Sequence, residues 1–384
     1  MQPRLSRRVP YLVPSPIRDI LAVVTEPHMI SFAGGLPDEE SFPDLGDLRP
    51  PVSVLQYGAT EGAPALRSLI AERVTADGLH CSPAQVLVLS GSQQGIDLVA
   101  KLFVDSGTRV SIEAPTYLAA LQAFRFFGAE FAPFSADSVR AETLAGSAVT
   151  YVNPTFQNPT GHCYSERERS QLAQACADSG AVLFEDDPYR ELAYAPCARV
   201  PVCAELAGHS FIYQGSFSKV LAPGLRLGFL VASPDLFPLL VRLKQAADLH
   251  SSGLSQWLAL AKLSASTREV ELRSVVDRYR SKRDHFAELL SKHVQGLADF
   301  SLPMGGLFFW LRLKHTLDTR ALLAESLAQG VAFMPGEPFY PQSELAAPSL
   351  RLNFSHASPE RATEGIARLG TLLSTAARGA LPVR

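Results

Sequence analysis

From about Leu79 onward the chain alternates short β-branched runs with longer segments of helical periodicity, and no other feature narrows its fold as far. Such alternation builds βαβ units and a mostly parallel sheet covered by helices. In the first unit, VLVL (Val86 to Leu89) reads as a buried strand and SGSQQG as a tight turn. IDLVAKLFV then reads as a helix with Ile96, Val99, Leu102 and Phe103 on one face. Further strands are expected at RVSIE (Arg109 to Glu113), AVTYV (Ala148 to Val152), AVLFE (Ala181 to Glu185), SFIYQ (Ser210 to Gln214) and LGFLVA (Leu227 to Ala232). Too few residues separate the last two for a helical crossover, so LGFLVA is expected to run antiparallel to its predecessor.

Past that strand the pattern changes. VELRSVVDRYRSKRDHFAELLSKHV (Val270 to Val294) is periodic enough for one continuous helix joining two lobes. MGGLFFWLRL, GVAFMPG and SLRLNFS read as strands, and a closing helix starts near Pro359, which together suggest a small α+β lobe. The segment 1–45 is expected to pack with that lobe. A length of 384 residues agrees with two domains or one large domain with a lobe.

The balance of charge and cysteine bounds the partners. A net charge of −3, with no like-charge block, leaves no electrostatic footprint for nucleic acid or an anionic membrane. The five cysteines, Cys81, Cys163, Cys176, Cys197 and Cys203, form no CxxC pair, so neither a disulfide framework nor a metal knuckle is indicated. Free thiols in a reducing cytoplasm are the expectation. The opening MQPRLSRRVPYLVPSPIRDIL is broken by Pro10, Pro14 and Pro16 and offers no apolar run for a signal or a span.

In open α/β sheets, ligands lie outside the carboxyl ends of the strands. Four expected strand ends carry chemistry: Gly91-Ser92-Gln93 after VLVL, NPTFQNPTG (Asn153 to Gly161) after AVTYV, Asp186-Asp187 with Tyr189 after AVLFE, and Gly215 to Lys219 after SFIYQ. Taken alone, each has a plain reading. Gly91-Ser92 is a strand-to-helix turn with Ser92 as N-cap or a phosphate cup; Asp186 is a solvated loop acid or a partner for a heterocyclic nitrogen. Tyr117 is a packing aromatic or a ring-stacking platform, and Asn158 belongs to a turn or a site. Lys219 weights the functional side, because Ser216, Ser218 and Arg226 surround it with groups suited to a phosphate monoester. A lysine there can form a Schiff base with an aldehyde if burial and neighbouring cations lower its pKa.

In order along the chain stand ISFAGGLPDEESFP, QYGATEGAPALR, SGSQQG, APTY, NPTFQNPTG, EDDPYREL, GSFSKVLAPGLRLG, GGLFFW and LRLNFS. This series resembles the class I/II aminotransferases, fold-type I enzymes dependent on pyridoxal 5′-phosphate, and SFAGGLP and QNPTG are most like the branch with 2-aminoadipate and branched-chain or aromatic aminotransferases. The resemblance implies an α/β fold with a mostly parallel sheet and one antiparallel strand, a large cofactor-binding domain over 46–275 and a small C-terminal domain over 276–384. It makes Lys219 the Schiff-base lysine and general acid/base, and Asp186 the partner of the pyridine nitrogen. Tyr117 would stack on the ring, and Asn158 and Tyr189 would bond its phenolate oxygen. Ser92, Gln93, Ser216, Ser218 and Arg226 would hold the phosphate.

On the same grounds Arg351 would grip the substrate α-carboxylate, and Gly34 and Gly35 belong to a segment that closes over the substrate. Tyr57 would reach the phosphate of the other subunit, which implies a homodimer with shared sites. Arg18 corresponds to a position where some aminoadipate-type enzymes present an arginine to a distal carboxylate; it reads as well as a solvated helix arginine. Were it in the site, glutamate and 2-oxoglutarate would be natural partners, with Tyr11, Phe32 and Leu36 lining the pocket for apolar side chains. The expected activity is amino transfer between an L-amino acid and a 2-oxo acid. Two alternatives remain: another reaction on the same cofactor (elimination, cyclisation or oxidation), and a non-catalytic cofactor-binding sensor.

Overall fold

In the computed structural model the described residues are 4–12, 26, 28–46 and 48–380. The strands in chain order begin with β1 (Ile30–Ser31), β2 (Val86–Leu89), β3 (Arg109–Glu113), β4 (Glu130–Phe134) and β5 (Val149–Val152). They continue with β6 (Val182–Asp186), β7 (Phe211–Ser216) and β8 (Gly228–Ala232). β2 to β8 form one seven-stranded sheet in the order β2-β8-β7-β6-β5-β3-β4. Only β8 opposes the rest, pairing antiparallel with β7 and β2, as the short β7–β8 connection requires.

Burial on both faces explains the uninterrupted apolar strands. In β2, Val86 and Val88 enter one core while Leu87 and Leu89 enter the other; in β6, Leu183 and Phe184 divide the same way. The Ser92–Phe103 helix covers the second face with Ile96 and Val99 fully buried and Leu102 and Phe103 partly so. β4, unforeseen in the sequence because Pro133 interrupts EFAPF, lies at the sheet edge, where a missing N–H costs no ladder bond.

A 26-residue helix, Arg268–His293, leads to the second lobe. There stand β9 (Ala298–Asp299), β10 (Phe308–Leu313), β11 (Val331–Ala332), β12 (Met334–Pro335) and β13 (Ser349–Asn353), followed by the Pro359–Ala380 helix. β12-β13-β10-β9 form an antiparallel sheet. GVAFMPG is therefore not one strand: β11 leaves that sheet to pair in parallel with β1, and the bend falls at buried Phe333.

Through β1 the early chain is pinned to this lobe. Phe32 N–H donates to Ala332 O (2.8 Å), Asn353 N–H to Phe32 O (2.8 Å), and Ser355 Oγ to Leu36 O (2.8 Å). Asp38 meets Lys282 at 2.7 Å. Phe32 itself is fully buried, edge-on to Phe286 with ring centres 5.2 Å apart. It fills the small-lobe core rather than a substrate pocket, and exposed Tyr11 does not border the cavity described below. Arg18 lies outside the described residues. Among those residues, no helix is long and apolar enough to cross a membrane.

Candidate functional site

The carboxyl ends of β2, β5, β6 and β7 open onto a cavity of about 350 Å³ that also meets the early chain and β13. It brings together Ser92, Gln93, Tyr117, Asn158, Asp186 and Tyr189 with Ser216, Ser218, Lys219, Arg226, Gly35 and Arg351. Leu36 is a further expected residue on its walls, whereas Gly34, Phe32 and Tyr11 are not among them. Arg18 is not described, and Tyr57 stands 79% exposed on the surface with its ring edge-on to His250.

Backbone geometry makes one end of the cavity. Gly91 has φ +82°, which a side chain rarely tolerates, and a Cβ there would lie 2.5 Å from Arg226 Nη2. Gly91, not Ser92, is the N-cap of the following helix; Ser92 is its first residue, and no side chain caps that end. The free N–H groups there favour an anion. Arg226 adopts the left-handed conformation itself (φ 47°, ψ 53°), which costs a non-glycine residue about 1 kcal/mol. That backbone places its guanidinium against Gly91. Gly228 completes the approach, since a Cβ there would meet the Ser92 nitrogen at 2.9 Å.

Asp186 closes β6 and is almost fully buried. Its oxygens accept from Tyr151 Oη (2.8 Å) and Gln214 Nε2 (2.9 Å), and its carbonyl from Asn153 Nδ2. These donors are neutral, so burial prevails and raises its pKa to about 6. A protonated heterocycle would give this carboxylate the cation it lacks. Neighbouring Asp187 turns the other way, to Arg190 (3.2 Å) and Tyr213 Oη (3.2 Å). Tyr117, half-buried, has its pKa raised to about 12, by burial first and then by the Asp186 charge, so it stays a neutral ring. Burial likewise raises that of Tyr189.

Lys219 follows β7, and its Nζ donates to Gly35 O at 2.9 Å. Burial, then the charges of Arg351 and Arg226, lower its pKa to about 8, which releases a usable fraction of neutral amine. Arg351, on β13, is 2% exposed. It donates through Nη1 to Asn158 Oδ1 (2.8 Å) and through Nη2 to Ala33 O, and lies 4.4 Å and 5.0 Å from the ring centres of Phe308 and Phe339. No hydrogen-bond partner meets its Nε among the described residues. Burial lowers its pKa to about 10, so it remains charged and open to a carboxylate.

Several wall and supporting residues have no role assigned from the sequence, Asn153 among them although it opens one of the loaded strand ends. Asn153 lines the cavity and anchors Asn158 by accepting from its N–H at 2.8 Å. Tyr151 and Gln214 orient Asp186 from inside the sheet. A glutamine ending the apolar run FIY was the available signal, because such a buried amide needs partners. The GG of GGLFFW also serves the site. Cβ atoms at Gly305 and Gly306 would strike the Phe156 ring at 2.3 Å and its Cβ at 2.8 Å, and Phe156 belongs to the loop bearing Asn158.

Residues 45–369 match the family model described as "Aminotransferase class I and II". The chain belongs to that family. It is 38% identical to the 2-aminoadipate transaminase of Thermus thermophilus, with 94% of each chain covered. It is 34% identical to aromatic-amino-acid aminotransferase 1 of Thermococcus litoralis, covering 92% of this chain and 90% of the relative. A solved structure of the Thermus thermophilus alpha-aminoadipate aminotransferase complexed with N-(5′-phosphopyridoxyl)-L-leucine superposes with a TM-score of 0.83 at 35% identity, covering 97% of each chain. This aminotransferase has the fold-type I architecture, and its cofactor is pyridoxal 5′-phosphate.

The cavity fits that group on its own terms. It pairs a carboxylate in want of a cation with a glycine-lined helix start facing a guanidinium, and sets an amine of lowered pKa among them.

Proposed function

We propose that the transferase moves the amino group of an L-amino acid to a 2-oxo acid with Lys219 as its covalent and proton-transferring residue. The carrying observation is that one cavity gathers Lys219, Asp186, Arg226 and Arg351, each with a distinct electrostatic task. Pyridoxal phosphate, when bound, supplies an aldehyde to carry the amino group and a heterocycle that accepts electrons released at the substrate Cα. Every other task falls to the protein.

The helix start at Ser92-Gln93, with Ser216, Ser218 and Arg226, binds the phosphate. Asp186 holds a proton on the ring nitrogen, kept in place by Tyr151 and Gln214. Tyr117 faces the ring, and Asn158 and Tyr189 donate to its phenolic oxygen. Lys219 Nζ, held at the mouth of β7 with its pKa lowered to about 8, would serve as the base that takes the proton from the substrate Cα and as the acid that gives it back. Arg351, braced by Asn158, orients the α-carboxylate and so selects which Cα bond reacts.

Glutamate and 2-oxoglutarate are the proposed shared pair, on the position of Arg18 in the sequence. The relatives' names, aminoadipate and aromatic amino acids, support acceptance of both acidic and large apolar side chains. A homodimer with Tyr57 entering the partner's site is proposed from the exposed apolar run Val52 (83%), Leu55 (71%) and Tyr57 (79%). Sedimentation showing only monomer would remove that part. The five free thiols suit the reducing cytoplasm proposed as its location.

Purified protein with cofactor should lose its visible aldehyde-derived band on addition of a donor amino acid and regain it with 2-oxoglutarate, with one glutamate formed per turnover. Lys219→Ala should abolish this cycle. Ammonia release without an acceptor would favour an elimination instead, and a Lys219→Ala protein with undiminished turnover would refute the assignment.

A further inference from the structure

The turn that begins the Ser92–Phe103 helix is supported from beneath by a charged group that no step above uses. Lys244, on the Phe237–Asp248 helix, has a side chain with 0% exposure. Its Nζ donates to Gln94 Oε1 (2.8 Å) and to both Asp248 oxygens (2.9 and 3.2 Å). Those acceptors in turn hold Ser90, the residue before Gly91. Ser90 N–H donates to Gln94 Oε1 at 2.9 Å, and Ser90 Oγ to Asp248 Oδ2 at 2.6 Å.

We infer that Lys244 is a positioning residue for the phosphate-binding turn: it fixes Gln94 and Asp248, which fix Ser90 and aim the N–H groups of Ser92 and Gln93. The inference rests on the phosphate placement proposed above. A fully buried ammonium is a costly way to fill space, and an apolar side chain would serve packing as well. The lysine donates where an apolar group could not, to one oxygen that already accepts from the Ser90 backbone. Without it, Gln94 loses the restraint on its amide and the turn loses its reference point.

The effect should be specific to phosphate, because the polar partners of Lys244, Gln94 and Asp248, are not residues assigned to the ring or the substrate. Full-length protein stripped of cofactor is titrated with pyridoxal 5′-phosphate and, separately, with pyridoxal, which lacks the phosphate, following absorbance. Lys244→Met is compared with wild type, and Asp248→Asn and Gln94→Leu provide independent breaks should Lys244→Met fail to fold. The expected result is a Kd for pyridoxal phosphate raised about tenfold to a hundredfold, as loss of a charged hydrogen bond implies, with the pyridoxal Kd within about twofold of wild type. An unchanged Kd for pyridoxal phosphate, or an equal loss for both ligands as general loosening would give, overturns the inference. Wild-type protein that binds neither ligand would overturn the cofactor placement itself.

Discussion

Replacing Arg351 by methionine tests the site where its electrostatics are least compensated. Arg351 is buried, charged and braced by two neutral acceptors, the Asn158 side chain and the Ala33 carbonyl, with its Nε unpartnered. A guanidinium has five N–H donors. Enough remain for a bidentate pair with a carboxylate, each bond to a charged group contributing about 1.5–3 kcal/mol. Losing both removes roughly 3–6 kcal/mol, or about a hundredfold to ten-thousandfold in kcat/KM for amino acids. Steady-state kinetics with an amino acid and with the matching amine lacking the α-carboxylate isolate that contribution. The amino acid should suffer and the amine should not. Arg351→Lys, which keeps the charge without the fork, should fall between. Arg351 is also one of the cations that depress the Lys219 pKa, so in Arg351→Met the pH midpoint for Lys219 reactivity in cofactor-free protein should rise above about 8. Equal losses for amino acid and amine, with an unmoved midpoint, would refute the role.

Two further outcomes follow from the same walls. Asp186 has an ordinary pKa of 3.8 that burial raises to about 6, so between those values the folded, cofactor-free chain binds more protons than the unfolded one and its stability falls as pH rises through that window. Asp186→Asn should therefore stabilise cofactor-free protein at pH 8 by roughly 3 kcal/mol and lose that advantage below about pH 4; denaturant titration across pH measures it, and an advantage independent of pH would contradict the cause. Gly95→Ala would place a Cβ 1.7 Å from Gln214 Oε1, displacing the amide that donates to Asp186. A loss of about 1–3 kcal/mol in stability is expected, together with weaker cofactor binding. Unchanged binding would show that Gln214 does not orient Asp186.

The order of apolar runs and loaded strand ends was legible because its causes are local. VLVL, AVTYV and AVLFE are short and mostly apolar with no polar alternation, as strands buried on both faces are, and the short step from SFIYQ to LGFLVA forces the one reversal. The types of Lys219, Asp186 and Arg226 after those strands likewise announce their chemistry. Pro133 concealed β4, since its effect depends on whether a strand lies at an edge, which no local pattern states.

The sequence by itself determined which residues stand at the strand ends and that they suit a phosphorylated aldehyde. Tertiary structure decided the rest. It made Gly91 rather than Ser92 the helix cap, committed Phe32 to the core, and set Tyr151 and Gln214 behind Asp186. It also left Arg351 with no acidic partner among the described residues and put Lys244 beneath the turn that opens the Ser92–Phe103 helix. The reason is physical: what a side chain donates to, and what burial does to its charge, depend on neighbours brought together from distant parts of the chain.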